Sequence, residues 1–115
     1  MLLLTVEDDR TTREALCQAL RDEGFIVIAA ADGGQGLWLA THQRPDLVIT
    51  DLAMPVMRGE ELCRRLRDDP STLHIPIIVC SGDLPPEAHL CPAEGYLQKP
   101  VSLQRLISMA HTLVD

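Results

Sequence analysis

Lysine is almost absent from this chain of 115 residues. Lys99 is the only one, and arginines fill the other basic positions. Acidic residues outnumber basic residues by 17 to 10, and the formal net charge at pH 7 is −7. Because no basic stripe is available to neutralise phosphates, we expect no direct binding of nucleic acid.

Long hydrophobic runs are also missing. The longest apolar stretches have only the length of β-strands, so we expect neither a membrane span nor a signal peptide before Glu7. No segment is polar or repetitive enough to be disordered, since 46% of the residues are hydrophobic and 23% are charged. These values are typical of one globular domain with a real core, to which we assign residues 1–115.

The cysteines lack the C-x-x-C spacing of redox and zinc motifs. Cys17, Cys63, Cys80 and Cys91 are spread along the chain, and three of them lie inside apolar segments. This pattern favours buried, reduced thiols in a cytoplasmic protein.

Strand-like and helix-like segments alternate strictly along the chain. The predicted strands are Leu2–Val6, Ile26–Ala30, Leu47–Thr50, Ile77–Cys80 and Tyr96–Gln98. The first predicted helix runs to Asp22 from a cap at Thr11 or Thr12, and the second covers Gly36–Gln43, with Trp38 as a packing residue. The third covers Gly59–Arg67, and the last begins after a cap at Ser102. This alternation predicts an α/β fold, a doubly wound five-stranded parallel sheet with helices on both faces.

Chemically active side chains follow several of these strands. Glu7 and Asp8 follow the first strand, Asp51 the third, Ser81 the fourth and Lys99 the fifth. In a parallel sheet the loops after the strands share one edge, and ligands bind there. We therefore expect these five residues to form one site.

Crowded carboxylates repel one another unless a divalent cation neutralises them. Mg²⁺ suits such a site because it prefers oxygen ligands and commonly bridges carboxylates to a phosphoryl group. Asp51 is the best candidate for a nucleophile that becomes an aspartyl phosphate, with Lys99 and the Ser81 hydroxyl each taking one phosphoryl oxygen. Taken singly, Asp51 could be a loop cap and Lys99 a surface charge, but their joint occurrence favours a site.

Four motifs resemble a two-component response-regulator receiver domain similar to the chemotaxis regulator. They are Val6-Glu7-Asp8-Asp9 with Arg13, Pro45 to Pro55 with Gly59, Pro76 to Gly82, and Gly95 to Pro100. The resemblance covers essentially the whole chain. It implies a flavodoxin-like receiver fold with strand order 2-1-3-4-5.

The resemblance also implies roles for individual residues. Asp51 corresponds to the phosphoacceptor, the residue that is modified. Asp8 corresponds to the direct Mg²⁺ ligand, Glu7 acts mainly through water, and Ala53 offers a backbone carbonyl. Asp9 lies one place beyond the acidic pair, and we interpret it as a solvated rim residue.

Further roles follow from the last two motifs. Lys99 corresponds to the phosphate-binding lysine, and the peptide bond to Pro100 is expected to be cis. Ser81 corresponds to the switch hydroxyl and Tyr96 to the aromatic switch, although Tyr96 is also compatible with simple packing.

The chain departs from the family pattern between Ser81 and Lys99. This stretch is about one helical turn shorter than usual, and Pro85, Pro86 and Pro92 occupy the place of the fourth helix. We therefore expect a shortened fourth helix and a monomer.

The resulting hypothesis is a phosphorylation switch rather than an enzyme, with only self-phosphorylation from a phosphodonor and slow autodephosphorylation. Its partners would be a histidine kinase or histidine phosphotransfer protein and a downstream effector. One alternative is a phosphorylation-independent interaction domain. Another is a phosphohydrolase of the haloacid dehalogenase type, which Ala53 disfavours because that family places a second aspartate there.

Overall fold

Five parallel strands form the centre of the molecule. The computed structural model describes residues 1–82 and 93–114. The strands are β1 (Leu2–Val6), β2 (Ile26–Ala30), β3 (Leu47–Thr50), β4 (Ile77–Ser81) and β5 (Gly95–Gln98), in the order β2-β1-β3-β4-β5. All neighbouring pairs are parallel, which confirms the predicted doubly wound sheet.

Four helices are present in the described residues: α1 (Arg10–Asp22), α2 (Gly33–Gln43), α3 (Gly59–Asp68) and α4 (Leu103–Val114). Ser102 caps α4 as predicted, since its hydroxyl accepts from the amide of Arg105 at 3.3 Å. A shortened fourth helix was predicted between Ser81 and Lys99, and most of that stretch, residues 83–92, lies outside the described residues.

The predicted threonine cap of the first helix is wrong. Asp9 is the cap, and its carboxylate accepts from the Thr12 amide at 2.9 Å and from the Thr12 hydroxyl at 2.6 Å. A charged carboxylate is a stronger acceptor than a hydroxyl, so the helix begins two or three residues earlier and Thr12 becomes a donor. Asp32 likewise caps α2, which begins at Gly33, three residues before its predicted start.

Two apolar layers enclose the sheet because successive strand residues point to opposite faces. Leu4, Val6 and Val48 pack with Leu62 and Leu66 of α3 on one face. The other face carries an independent cluster, whose members include Leu3, Leu16, Leu20, Ile49 and Leu106. Among the described residues no helix has the length and apolar character needed to cross a membrane.

Trp38 does not pack into the core as predicted. It is 56% exposed, and its ring stacks on that of His42 with centroids 4.0 Å apart. The buried positions of α2 are Gly33, Gly36 and Ala40, so Trp38 lies to the side of the face that meets the sheet. At Gly36 a larger side chain is excluded, because a Cβ there would lie 2.8 Å from the Val6 side chain.

An ion pair joins α3 to the amino-terminal ends of β4 and β5. Arg67 donates to both carboxylate oxygens of Glu94, at 2.6 and 3.0 Å, and to the carbonyls of Leu73 and Ile75. Glu94 in turn accepts from the amide of Ile77 at 2.7 Å. This end of the sheet is therefore fixed by charge-assisted hydrogen bonds.

Gly59 is a sensitive link between fold and site. A Cβ there would collide with the carbonyl oxygen of Asp51 and lie 2.8 Å from the Cα of Leu52. We expect Gly59→Ala to lower the free energy of unfolding by about 1–3 kcal/mol, the usual range for overpacking, in urea titrations. Gly82→Ala is the control because a Cβ there meets nothing within 4 Å. Equal stability of the two variants would contradict the expected clash.

Candidate functional site

The site lies at the edge of the sheet where the strands' carboxyl ends meet, which we call the carboxyl edge. β1 and β3 pair to their last residues, Val6 opposite Thr50, so the next residues, Glu7 and Asp51, are neighbours. The amide of Asp51 donates to the carbonyl of Val6 at 3.1 Å. Sheet register thus brings residues that are distant in sequence into one place.

Three carboxylates converge there. Glu7, Asp8 and Asp51 each offer an oxygen, and these oxygens lie within 4.8 Å of one another. Glu7 is only 3% exposed and Asp51 8%, whereas Asp8 is open to solvent. The cluster therefore has two buried carboxylates, and it is open to a solvated cation or a phosphodonor on the side of Asp8.

Lys99 bridges the two buried carboxylates. Its Nζ donates to Glu7 Oε1 at 2.6 Å and to Asp51 Oδ2 at 2.9 Å. Burial acts to lower the pKa of Lys99, but the hydrogen bonds to Glu7 and Asp51 prevail and raise it to about 12. The ammonium is therefore charged at neutral pH and partly offsets the repulsion between the carboxylates.

The environment of Glu7 opposes its ionisation. Burial raises the pKa of its carboxyl above the ordinary value, and a hydrogen bond with the Asp8 side chain adds to this. The hydrogen bonds from Lys99 and from the Asp9 amide lower the pKa but do not cancel the rise. The charge of Glu7 therefore depends on a nearby cation.

Asp51 is held from two directions. Its Oδ1 accepts from the amide of Leu52 at 2.7 Å, and its Oδ2 accepts from Lys99. The carbonyl of Leu52 in turn accepts from the amide of Gly59 at 2.9 Å, which fixes the loop to the start of α3. The carboxylate is therefore oriented by the main chain as well as by the lysine.

The other predicted site residues are Ser81, Ala53 and Tyr96. Ser81 is buried at the end of β4, and its carbonyl accepts from the amide of Lys99 at 2.7 Å. Ala53 is exposed in the loop after Asp51. The half-buried Tyr96 packs against the core, and its hydroxyl accepts from the Ala93 amide at 3.2 Å.

Two further observations concern the predictions for this edge. The Lys99–Pro100 peptide is cis, as the family resemblance implied. Arg13 was part of a predicted motif but had no assigned role; it donates to main-chain carbonyls of the acidic loop. A basic residue on the first turn of α1, close behind the acidic residues, is the signal that could have identified it.

A parallel sheet in this order, with acidic residues and a lysine at the carboxyl edge, defines a doubly wound domain whose site lies where such folds bind ligands. The family model described as "Response regulator receiver domain" matches residues 3–111. The chain therefore belongs to the response regulator receiver domain family, which is a family of signalling domains rather than conventional enzymes.

Individual relatives agree with this assignment. Response regulator MprA of Mycobacterium sp. (strain KMS) is 36% identical over 114 residues, which are 97% of this chain and 50% of the relative. The chain thus spans about half the length of the curated relatives it matches. Chemotaxis response regulator CheY4 of Vibrio cholerae has 30% identity and a TM-score of 0.89, with 97% of both chains covered.

A third comparison concerns a metal-bound neighbour. The receiver domain of sensor histidine kinase PA1611 from Pseudomonas aeruginosa has 26% identity and a TM-score of 0.92, with 98% of this chain and 96% of that one covered. That structure is described as having a magnesium ion coordinated in the active site cleft.

Removing the bridging ammonium tests its part in holding the carboxylates. We expect Lys99→Met to lower the free energy of unfolding by about 1–3 kcal/mol, because buried Glu7 is left without its charged partner. The measurement is a urea titration in the presence of EDTA. Since the pKa of Lys99 rises from 10.5 to about 12 on folding, this contribution is present below pH 10.5 and lost as the pH rises toward 12. Gln98→Met, at an exposed neighbouring position, is the control. A Lys99→Met variant as stable as the wild type would show that the bridge contributes nothing.

Proposed function

We propose that this receiver domain accepts a phosphoryl group on Asp51 from a phosphohistidine of a histidine kinase or a histidine phosphotransfer protein. The observation that carries the proposal is the position of the Asp51 carboxylate, buried at a strand end and held by a backbone amide and Lys99. A carboxylate fixed in this way is oriented for in-line attack on phosphorus.

The transfer exchanges one bond to phosphorus for another. An Asp51 carboxylate oxygen forms the new P–O bond while the P–N bond of the donor breaks, and the released imidazole recovers a proton. Charge spread over the phosphoryl oxygens must be stabilised during this step. Lys99 lies within hydrogen-bond distance of the attacking carboxylate and can follow that charge, and Ser81 at the end of β4 can take a further oxygen.

The carboxylate cluster fits a divalent cation. Glu7, Asp8 and Asp51 supply only hard oxygen donors, and the single ammonium of Lys99 is shared between the two buried carboxylates. Asp8 and Asp51 would be direct ligands of Mg²⁺, Glu7 would act mainly through water, and the Ala53 carbonyl would complete the protein's contribution. Bound Mg²⁺ would neutralise the carboxylates and the incoming phosphoryl oxygens. The magnesium described for the PA1611 receiver domain supports this proposal.

Signalling would follow from the change in charge at Asp51. Ser81 would move toward the phosphoryl oxygens, and Tyr96 would turn into the space that it leaves, a two-state packing change. The hydrogen bond between the Tyr96 hydroxyl and the Ala93 amide is the contact that this turn would break. A changed surface near Ala93 would then be read by an effector protein or domain.

The setting of this switch is part of the same proposal. We assign residues 1–115 to one cytoplasmic receiver domain that acts as a monomer, with no direct contact to nucleic acid or membrane. A phosphohydrolase of the haloacid dehalogenase type is not supported, because the family is that of receiver domains. In addition, Ala53 stands where that type of enzyme places its second aspartate. A phosphorylation-independent interaction domain makes the opposite prediction for the labelling experiment that follows.

Asp51 is expected to be the only phosphoacceptor. Incubation with acetyl phosphate and Mg²⁺ should add one phosphoryl group, seen by intact-mass spectrometry and removed by hydroxylamine, and Asp51→Asn should abolish it. Asp9→Asn is the control because asparagine also caps a helix well, so α1 stays intact. Undiminished labelling of Asp51→Asn would refute the assignment, and an unlabelled wild type would favour the phosphorylation-independent alternative.

The acidic pair is expected to govern metal affinity. Asp8→Asn should weaken Mn²⁺ binding, followed by electron paramagnetic resonance, by about tenfold or more, because the charge of the ligands sets the affinity of hard cations. Asp9→Asn should change it much less, since the Asp9 carboxylate is committed to the α1 cap. If Asp9→Asn were the more damaging variant, the ligand assignment would be displaced by one residue.

A further inference from the structure

The loop between β1 and α1 carries two of the three clustered carboxylates, and its main chain is tied down at each end. The amide of Glu7 donates to the carbonyl of Ala30 in β2 at 3.0 Å. At the other end, the Asp9 carboxylate caps α1. Between these anchors lie the peptide groups whose carbonyls belong to Glu7 and Asp8.

Arg13 supplies the third restraint. From the first turn of α1, its Nη1 donates to the carbonyl of Glu7 at 2.8 Å and approaches the carbonyl of Asp8 at 3.4 Å. Among the residues that the structure describes, Arg13 makes no ion pair within 4.0 Å. Its guanidinium therefore hydrogen-bonds to the main chain of the loop and not to the carboxylates.

We propose that Arg13 is a positioning residue that presents Glu7 and Asp8 to the cation, an inference that rests on the proposed metal-dependent function. A peptide group is planar, so a carbonyl held in one direction fixes the orientation of the whole unit and the direction in which the adjoining side chains leave it. A charged donor makes this hydrogen bond stronger than a neutral one. Helix α1, started by the Asp9 cap, provides the rigid base from which Arg13 acts.

Charge and geometry predict opposite results when Arg13 is removed. A cation beside a cation-binding site opposes metal binding, so the loss of its charge alone would tighten binding. The loss of a positioning contact would weaken binding, because Glu7 and Asp8 would no longer be held toward Asp51. The sign of the change therefore identifies which effect dominates.

Arg10 provides a matched control. It lies on the same turn of α1, its side chain is 82% exposed, and it pairs with Glu14 at 3.0 Å instead of contacting the acidic loop. Arg10→Met and Arg13→Met remove the same charge and the same hydrogen-bonding group. Only the second removes a contact with Glu7 and Asp8.

The experiment measures Mn²⁺ affinity by electron paramagnetic resonance, without any phosphodonor, for the wild type, Arg13→Met, Arg13→Lys and Arg10→Met. We expect both Arg13 variants to bind about tenfold more weakly, as when other residues that orient metal ligands are lost. Lysine keeps the charge, but its side chain is one atom shorter than the path to Arg13 Nη1, so it should not restore binding. Arg10→Met should stay within about twofold of the wild type, since exposed charges contribute little.

A second measurement separates positioning from general damage. With acetyl phosphate, the Mg²⁺ concentration that gives half the maximal labelling rate should rise about tenfold in Arg13→Met, while the rate at saturating Mg²⁺ should be retained. Unchanged or tighter Mn²⁺ binding in both Arg13 variants would overturn the inference and leave the proposed function intact. A lower saturated rate would overturn it as well. A wild type that binds no Mn²⁺ would overturn the metal-dependent function itself.

Discussion

The repulsion between carboxylates buried at adjacent strand ends is the constraint on which this structure depends. The pairing of β1 with β3 places Glu7 and Asp51 side by side, and both side chains are buried from solvent. Lys99 reaches both from the end of β5, at 2.6 and 2.9 Å. Because the pairing of β1, β3, β4 and β5 determines where Lys99 lies relative to Glu7 and Asp51, the sheet and the site are held together by the same contacts.

The surrounding loops serve the same arrangement. The amide of Leu52 fixes Asp51, and the absence of a side chain at Gly59 lets α3 begin directly against the Asp51 carbonyl. The acidic loop is restrained by Asp9 and Arg13. Each of these contacts limits how far a carboxylate can move away from its neighbours, so the site is organised before any ligand arrives, which is the condition for efficient electrostatic stabilisation.

Much of this arrangement could be predicted because it depends on local sequence patterns, namely apolar strand segments and the polar residues that follow them. Three strands, Leu2–Val6, Ile26–Ala30 and Leu47–Thr50, were predicted to the residue. The convergence of Glu7, Asp51 and Lys99 followed from their positions after strands. The cap of α1 was wrong because two threonines competed with Asp9 for one role. Trp38 was misplaced because helical periodicity alone could not show how closely α2 approaches Val6. The pairing of Arg67 with Glu94 could not be predicted, since these residues are 27 positions apart and only the folded sheet brings them together.

That last pair has a consequence for how the sequence can diverge. Arg67 donates hydrogen bonds to the Glu94 carboxylate and to two main-chain carbonyls. The Glu94 carboxylate also accepts from the Ile77 amide. Lysine cannot reproduce a planar fork, and a neutral residue at position 94 alone would leave a largely buried guanidinium without its counter-charge. We therefore expect substitutions at the two positions to be coupled, so that a change at one is tolerated only alongside a compensating change at the other.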